Sequence, residues 1–503
     1  MKLIVIGGGI AGLSAAHFAH RTSQFSQIIL LESSSRWGGK ITTDRVQFDD
    51  GDFIIEGGPD TFLATKPWAV SLCKELGLAD RLHGTNPKNK NTYVLHKNKL
   101  QPLPDGLAMM IPTDTSSILK SQLVSWPGKV RMGLDFLLPA QNGHHDESLG
   151  HFVSRRLGRE AYENLIEPLM SGIYAGDGDQ LSLRSTFPYL HDLEAKHGSL
   201  ARGALKMRQQ MNAGVQSGAV SRSKGLPTSR RRRESSDSVP GSRSAFLTPT
   251  TGLAEIVEKL VETLTENDAD LRLDTPVSRL MKSDSHYLVD LDSGETLEAD
   301  FVILATPASI SGTLLASFDP ELAVVLGSIP YASTATVTLA YRQSDLSRPL
   351  DGYGYVIPRR EGRRALACTW TSTKFPHRAP EGYALIRVFV GRAGQESDIP
   401  WDEEGLFDLA HEELELTLGI TAEPLVSRVF IWENAMPQYN LGHPEKLAQI
   451  DAALEKHPGL ALAGNGYRGI GIPDCIHSGE LAVKKILEHL SLRATNGSVA
   501  ISD

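Results

Sequence analysis

The sequence predicts a mixed α/β and α+β protein, and three observations lead to this fold class. An apolar run, Lys2–Ile6, leads directly into a turn rich in glycine at residues 7–12. Residues 334–430 contain several stretches in which apolar and polar residues alternate, with many β-branched side chains. Residues 111–205 have mainly helical patterns. A continuous apolar run indicates a buried parallel strand, whereas alternation indicates an antiparallel sheet with one covered face.

The N-terminal turn has the spacing of a dinucleotide-binding fingerprint. Gly7, Gly9 and Gly12 lie between a strand and a helix, and the strand 28–31 ends at Glu32, roughly 20 residues later. We expect Gly7 to form the tight turn and Gly9 to let the backbone approach a pyrophosphate. Gly12 would let the helix pack closely against the strand. The phosphates would meet the helix N-terminus, and Glu32 would accept hydrogen bonds from ribose hydroxyls.

Two other interpretations of this segment are weaker. Residues 3–16 follow a single lysine and resemble a short secretory signal, but the glycines interrupt the apolar run. Gly39 and Lys40 resemble part of a phosphate-binding P-loop, but that loop requires Ser or Thr where Ile41 stands. The dinucleotide fingerprint is therefore the favoured interpretation.

Further glycine-rich segments favour FAD over a nicotinamide dinucleotide. Residues 36–42 read Arg-Trp-Gly-Gly-Lys-Ile-Thr, and residues 56–61 read Glu-Gly-Gly-Pro-Asp-Thr. A glycine pair just after the acid lets a second loop wrap a larger cofactor, although an ordinary tight turn is the alternative. Near the C-terminus, residues 462–473 predict a strand, another glycine turn and the start of a helix. The positive end of that helix would stabilise an anionic reduced flavin.

These segments predict a discontinuous, Rossmann-like FAD-binding domain with substrate-binding elements inserted between its parts. The predicted ranges are 1–66, 246–305 and 455–492 for the FAD-binding domain, 67–106 and 306–454 for a substrate-binding domain with the antiparallel sheet, 107–211 for a helical domain, and 212–245 for a disordered loop. The loop is rich in Ser, Gly and Arg, and such a composition buries too little apolar surface to offset chain entropy. Its run Arg230–Arg233 is expected to be solvated.

Several local expectations follow from periodicity. Residues 67–82 predict one helix, and residues 93–103 predict a hairpin. The helical region is expected to break at Pro127, Pro139 and Pro168. Residues 118–138 mix large apolar side chains with Lys and Arg. Such a mixture suits either a helix on a membrane surface or a buried core pair, and we favour the core.

Composition sets the wider frame. The chain has 503 residues, of which 41% are hydrophobic and 22% charged, so two or three domains are expected. A net charge of −9 argues against general nucleic-acid binding. The three cysteines fit neither a zinc motif nor a disulfide framework, and no apolar run is long enough to cross a bilayer. A cytoplasmic location, with peripheral contact at the inner face of the membrane as a variant, is the expectation.

Two sets of segments carry a resemblance to known proteins. The first set is residues 7–12, 36–42, 305–307 and 464–479. Together these resemble the amine-oxidase-like flavoprotein superfamily. The second set is residues 56–62, 167–177, 185–188 and 471–476. These resemble the porphyrinogen oxidases of haem synthesis, and most closely the water-soluble bacterial kind that acts on coproporphyrinogen III.

The resemblance implies non-covalent FAD, molecular oxygen as the acceptor, oxidation of a porphyrinogen to a porphyrin, and no metal. Its implied FAD contacts are Gly7, Gly8, Gly9, Ile10, Ala11, Gly12, Glu32, Ser33, Lys40, Gly58, Pro59, Asp60, Thr61, Val277, Trp432, Asn465, Ile470, Gly471 and Ile472. It places the backbone of Gly172 against the macrocycle and the ring of Tyr174 in a stack on it. These two are the implied catalytic residues.

The resemblance leaves the substrate open between coproporphyrinogen III and protoporphyrinogen IX, which differ in their number of propionates. Lys66 and Lys90 lie near the implied pocket rim, where cations would discriminate, although a surface role suits both equally. A carotenoid desaturase or amine oxidase, and a non-catalytic flavin-binding protein, are the alternatives. Peripheral contact with a membrane and transient contact with the next enzyme of haem synthesis are compatible partners; nucleic acid is not.

Overall fold

The computed structural model describes residues 1–105, 107–108, 111–112, 114–141, 145–206, 209, 244–283 and 286–499. The predicted loop 212–245, with the run Arg230–Arg233, lies outside the described residues up to residue 243. The mixed fold class predicted from the sequence is confirmed, since parallel and antiparallel sheets both occur. The domain boundaries stay predictions.

A five-stranded parallel sheet forms the core of one half of the molecule, the half that contains the predicted dinucleotide-binding turn. Its strands lie in the order Asp270–Arg272, Gln27–Leu31, Lys2–Ile6, Phe301–Leu304 and Leu460–Leu462. The strands therefore come from the beginning, the middle and the end of the chain. The first strand of the chain lies at the centre, and Ile4 pairs with Ile29 on one side and Val302 on the other. In open parallel sheets, ligands bind outside the carboxyl ends of the strands where the strand order reverses. Here the order reverses at the strand Lys2–Ile6.

A seven-stranded sheet forms the second half. Its strands lie in the order Val426–Pro437, Tyr331–Arg342, Tyr383–Val390, Ala365–Trp370, Gly352–Val356, Asn91–His96 and Lys99–Pro102. All neighbours are antiparallel except the pair formed by 352–356 and 91–96. The helix Glu403–Leu418 covers one face with buried leucines. The predicted hairpin is confirmed, with Lys97 and Asn98 at positive φ in its turn.

The remaining elements complete the layers. The helices are Ile10–Arg21, Pro67–Glu75, Thr115–Lys120, Trp126–Gly133, Leu149–Leu157, Arg159–Ala161, Glu167–Tyr174, Leu183–Thr186, Pro188–His197, Ala254–Glu266, Ala308–Leu315, Pro320–Gly327, Thr371–Lys374, His443–Leu454 and Ile472–Val499. The smaller sheets contain Thr43–Val46 with Phe53–Glu56, Phe62–Leu63 with Phe246–Pro249 and Leu82–Gly84, Leu107–Ala108 with Ile111–Pro112, and Val277–Lys282 with Tyr287–Leu291 and Thr296–Ala299.

Two helix predictions were wrong. The helix predicted for 67–82 ends at Glu75, because Gly77 adopts a φ of +73° that stops the helix before a short 3₁₀ turn at Ala79–Arg81. The breaks predicted at Pro127 and Pro139 are confirmed, but at Pro168 the helical run continues from the π-helix Tyr162–Ile166 into Glu167–Tyr174. Pro127 and Pro168 each lie in the first turn of an α-helix. A proline costs little there, because the first N–H groups of a helix have no partner within it.

Residues 118–138 divide between core and surface. Leu123, Val124 and Met132 are buried, as the core interpretation predicts, whereas Trp126 and Leu137 are 66% and 79% exposed. Val130 and Leu134 share this exposure. Within the described part of the chain, no helix has the length and apolarity needed to cross a membrane.

Candidate active site

The first glycine turn, residues 7–12, is shaped by close backbone contacts. Gly7 has a φ of +108°, and a Cβ at Gly12 would overlap the carbonyl oxygen of Gly7. A Cβ at Gly8 would strike the ring of Trp37. Gly9 differs, because a Cβ there would meet no atom within 4 Å. The fold therefore requires the other glycines, whereas Gly9 leaves free space above the N-terminus of the first helix.

Glu32 organises the end of the second strand. Its carboxylate accepts a hydrogen bond from the N–H of Gly8 at 2.6 Å and from the hydroxyl of Ser33 at 3.3 Å. Its backbone carbonyl accepts from the N–H of Thr275 at 2.9 Å, which brings the strand beginning at Val277 to the same place. The structure thus brings together Glu32, Ser33 and Val277, three of the implied cofactor contacts.

The double-glycine segment, residues 56–61, lies between the two halves of the molecule. The carbonyl oxygen of Gly57 accepts hydrogen bonds from the indole of Trp432 at 2.8 Å and from the guanidinium of Arg387 at 3.3 Å. Arg387 also donates to the carbonyl oxygen of Gly58. A Cβ at Gly58 would overlap the carbonyl oxygen of Lys40. The implied contacts at Gly58, Lys40 and Trp432 therefore lie side by side.

Buried charges fix both ends of this segment. At Asp60, burial raises the pKa, but the charges of Lys374, 2.9 Å away, and Arg387 outweigh it and lower the pKa to about 2. At Glu56, burial raises the pKa despite the Arg378 guanidinium 2.8 Å away. These three cations were not predicted. They lie more than 300 residues from the segment, and no local pattern in the sequence marks them.

Lys40 has an unusual environment for a lysine. Burial lowers its pKa to about 8. Its ammonium donates to the carbonyl oxygen of Ala435 and lies 5.9 Å from the ring centre of Tyr331. Lys66, by contrast, has its ammonium 2.6 Å from the carboxylate of Asp474. Lys90 is exposed. The charge of Lys66 is thus largely neutralised within the protein.

The second glycine turn, residues 464–471, lies beside the first. Gly464 has a φ of +121°, and a Cβ there would meet no atom within 4 Å. A Cβ at Gly479 would lie 2.5 Å from the carbonyl oxygen of Ala11, so the last helix crosses the first one in close contact. The start of the last helix packs near the start of the first, because Ile472 is buried in the same hydrophobic cluster as Ile10 and Ala11.

The helix Glu167–Tyr174 contains both implied catalytic residues, and they differ in exposure. Gly172 is exposed, and a Cβ there would meet no atom within 4 Å; its neighbour Ile173 is 46% exposed. Tyr174 is buried, with its ring between Phe187 and Tyr439. Its hydroxyl donates to a backbone carbonyl at 3.4 Å, and burial raises its pKa. The ring of Tyr174 is thus enclosed by aromatic side chains of the protein.

Tyr439, which the sequence interpretation gave no role, links this helix to the second glycine turn. Its ring centre lies 6.2 Å from that of Tyr174. Its hydroxyl donates to the carbonyl oxygen of Asn465 and accepts from the N–H of Gly469 at 3.0 Å. Tyr439 therefore connects the buried side of the helix Glu167–Tyr174 to the second glycine turn.

These features define an oxidoreductase of the dinucleotide-binding class. The two glycine turns lie at the carboxyl edge of the parallel sheet, and Gly9 and Gly464 each leave free space beside the backbone. The donor set around them suits an organic cofactor, and among the described residues no cluster of three His, Cys, Asp or Glu is arranged for a metal ion.

The chain belongs to the family described as flavin containing amine oxidoreductase, whose model matches residues 10–487. It is 38% identical over 495 residues to a coproporphyrinogen III oxidase of Bacillus subtilis, covering 97% of this chain and 98% of the relative. It is 30% identical to the human protoporphyrinogen oxidase, covering 96% and 98%. A crystal structure from Exiguobacterium sp. 255-15, provisionally assigned as a protoporphyrinogen oxidase, superposes with a TM-score of 0.80 at 32% identity, covering 97% and 99%. The predicted family is confirmed, and a flavin cofactor follows from it.

Proposed function

We propose that this protein is an FAD-dependent oxidase that converts coproporphyrinogen III to coproporphyrin III with oxygen as the acceptor and hydrogen peroxide as the second product. The proposal rests on the family, on the similarity to named coproporphyrinogen III oxidases over nearly the whole chain, and on the geometry of the site. The single observation that carries it is the exposed surface at Gly172 and Ile173, on a helix whose buried side is linked to the second glycine turn through Tyr174 and Tyr439.

The residues present suit FAD. We assign the pyrophosphate to the free space at Gly9, the adenosine end to Glu32 and Val277, and the flavin end to the second glycine turn and the double-glycine segment. Bound FAD supplies hydride acceptance and the passage of electrons to oxygen. The side chains of this chain then need only bind, orient and exclude water, which agrees with the absence of a hydrolytic motif from the sequence.

The helix of Gly172 supplies the surface for the macrocycle. Glycine allows the backbone to approach a flat ring closely, and the apolar side chain of Ile173 extends that surface. Tyr174 supports the helix from behind through Phe187 and Tyr439 rather than by a ring stack on the substrate. Its neutral, buried hydroxyl is not suited to acid–base chemistry.

Protoporphyrinogen IX is the second candidate substrate, because relatives with that name span the same length at 28–30% identity. The two substrates differ in propionate number. Because Asp474 neutralises Lys66, a simple count of lysines does not indicate which porphyrinogen is preferred.

Exposed Trp126, Val130, Leu134 and Leu137 support a peripheral membrane contact, which flotation of the protein with anionic vesicles would test.

The decisive experiment mixes the purified protein with each porphyrinogen and follows Soret fluorescence and peroxide. We expect faster oxidation of coproporphyrinogen III, and release of the yellow flavin on acid precipitation. Gly172→Val should abolish turnover, because its side chain would occupy the space of the macrocycle, while FAD content and thermal stability are retained. Gly327→Val is the matched control, since Gly327 is also an exposed helical glycine without a neighbour within 4 Å.

Near-normal porphyrinogen oxidation by a folded Gly172→Val protein would contradict the assigned surface. Absence of any oxidation by the wild-type holoprotein would contradict the function itself and favour an amine oxidase, a desaturase or a non-catalytic flavoprotein.

A further inference from the structure

A small cavity lies between the double-glycine segment and the seven-stranded sheet. Its polar lining consists of Glu56, Asp60, Thr338, Thr371, Arg378 and Arg387, and apolar side chains close the rest. Its space is about that of one small molecule such as water. Arg378, Arg387 and Thr338 are each at most 2% exposed, so the cavity lies in the protein interior.

The charges around this cavity do not cancel. Arg378 lies 2.8 Å from the carboxylate of Glu56, and Lys374 lies 2.9 Å from that of Asp60. Arg387 has no carboxylate within 4 Å among the residues that the structure describes. Three cations therefore face two carboxylates, and one buried positive charge is in excess. An unpaired buried charge costs several kcal/mol, roughly, even after relaxation of the protein.

The donors of Arg387 divide into two sets. Its Nη2 donates to the carbonyl oxygens of Gly57 and Gly58, and its guanidinium lies 4.6 Å from the ring centre of Phe389. Its Nε and Nη1 are buried without a hydrogen-bond partner among the described residues, and so is the hydroxyl of Thr338. Carbonyl oxygens and an aromatic face screen a cation but carry no net charge to balance it.

We propose that this cavity binds one small monovalent anion of halide size, held by the Nε–H and Nη1–H of Arg387 and the hydroxyl of Thr338. Such an anion satisfies the buried donors and balances the excess charge, whereas a water molecule satisfies only the donors. The two carboxylates do not compete, because each already has its own cation. Burial lowers the pKa of Arg387, although the charges of Asp60 and Glu56 act in the opposite direction.

The site would stabilise the double-glycine segment through Arg387, which lies between the cavity and the segment. The guanidinium that binds the anion also holds the carbonyl oxygens of Gly57 and Gly58. Anion binding should therefore raise the stability of this junction without contact to any substrate.

The test measures the melting temperature of the holoprotein in sodium chloride, bromide and gluconate at equal ionic strength. We expect a saturable rise with chloride and bromide but not with gluconate, which is too large to enter. Arg387→Gln and Thr338→Val should each remove the difference between chloride and gluconate. Arg364→Gln is the matched control, because Arg364 pairs with Glu412 at an exposed position.

Crystals grown in bromide give a second readout that needs no variant, namely an anomalous peak beside Arg387. Equal melting temperatures in chloride and gluconate would overturn the proposal, as would a halide effect that persists in Arg387→Gln or a water in place of the bromide peak. If Arg387→Gln does not fold, Thr338→Val and the bromide peak decide. None of these readouts depends on porphyrinogen oxidation.

Discussion

The first glycine turn and the double-glycine segment both supply implied cofactor contacts, but they are held in different ways. The first turn is shaped by close backbone packing, in which Gly12 lies against Gly7, and Gly7 lies against the carbonyl of Ala305 on the neighbouring strand. Gly8 in turn lies against Glu32 and Trp37. The double-glycine segment is held by Trp432 and Arg387, more than 300 residues away in sequence.

This difference teaches where sequence patterns are informative. A tight backbone contact requires glycine at a fixed position, so the requirement is visible as a local spacing. A charge brought by a distant strand requires only an Arg or Lys somewhere on that strand, and many surface positions carry these residues too. Variants that test each kind of support should therefore fail in different ways.

The largest effect is expected within the first turn itself. Gly12→Val should destabilise the protein by about 4 kcal/mol or more, because its Cβ would overlap the backbone of Gly7. Gly9→Val should keep the stability of the cofactor-free protein within about 1 kcal/mol, because no atom lies near, yet lose the flavin. Urea unfolding and flavin absorbance separate the two outcomes.

The Gly9 variant is the more informative of the pair. A folded Gly9→Val protein with full flavin content would show that the free space above the first helix is not the pyrophosphate site.

The next largest effect concerns the remote support of the double-glycine segment. Lys374→Met should cost about 2 kcal/mol, because it leaves the carboxylate of Asp60, a side chain only 22% exposed, without its nearest cation. Asp44→Asn is the control, since the Asp44–Arg428 pair is exposed and such pairs contribute about 0–1 kcal/mol. Equal losses of unfolding free energy in both variants would contradict the comparison.

The same pair predicts an acid dependence of definite sign. Asp60 has a pKa of about 2 in the folded protein and about 3.9 when unfolded. The unfolded state therefore takes up the proton first, and the stability present above pH 4 is lost as the pH falls toward 2. Urea unfolding of the wild type between pH 5 and 2.5 should show this loss, and Asp60→Asn should flatten it.

Much of the nucleotide-binding half could be predicted from the sequence, and little of its support could. The parallel strands, the glycine turns and Glu32 follow from local patterns, and the structure brings them together. The helix 67–82 was predicted too long because periodicity does not show that Gly77 adopts positive φ. The burial of Tyr174 depends on Phe187 and Tyr439, which only the folded chain brings to its ring.

A smaller effect is expected at His377, which lies beside Arg378. Burial, with the charge of Arg378 and the nearby His83, lowers its pKa to about 3. The unfolded state then protonates first, so stability falls as the pH drops from about 6.5 toward 3. At pH 5 the free energy of unfolding should be lower by about 1 kcal/mol, after allowance for partial solvent screening of His377. His377→Gln should remove this part of the pH dependence, and an unchanged slope would contradict it.

The smallest effect is expected at Tyr174, and its partner Tyr439 provides the contrast. Tyr174→Phe loses one long hydrogen bond of 3.4 Å and keeps the ring in place, so kcat/KM should stay within about threefold, or roughly 0.6 kcal/mol. Tyr439→Phe removes both the donor to Asn465 and the acceptor for Gly469, the two hydrogen bonds by which this side chain holds the second glycine turn. We expect weaker flavin retention in that variant, measured by dialysis, with a stability loss of about 1–3 kcal/mol. If Tyr174→Phe instead loses kcat by orders of magnitude, its hydroxyl takes part in the chemistry. If Tyr439→Phe retains flavin like the wild type, the second glycine turn is shaped by its own backbone, as the first one is.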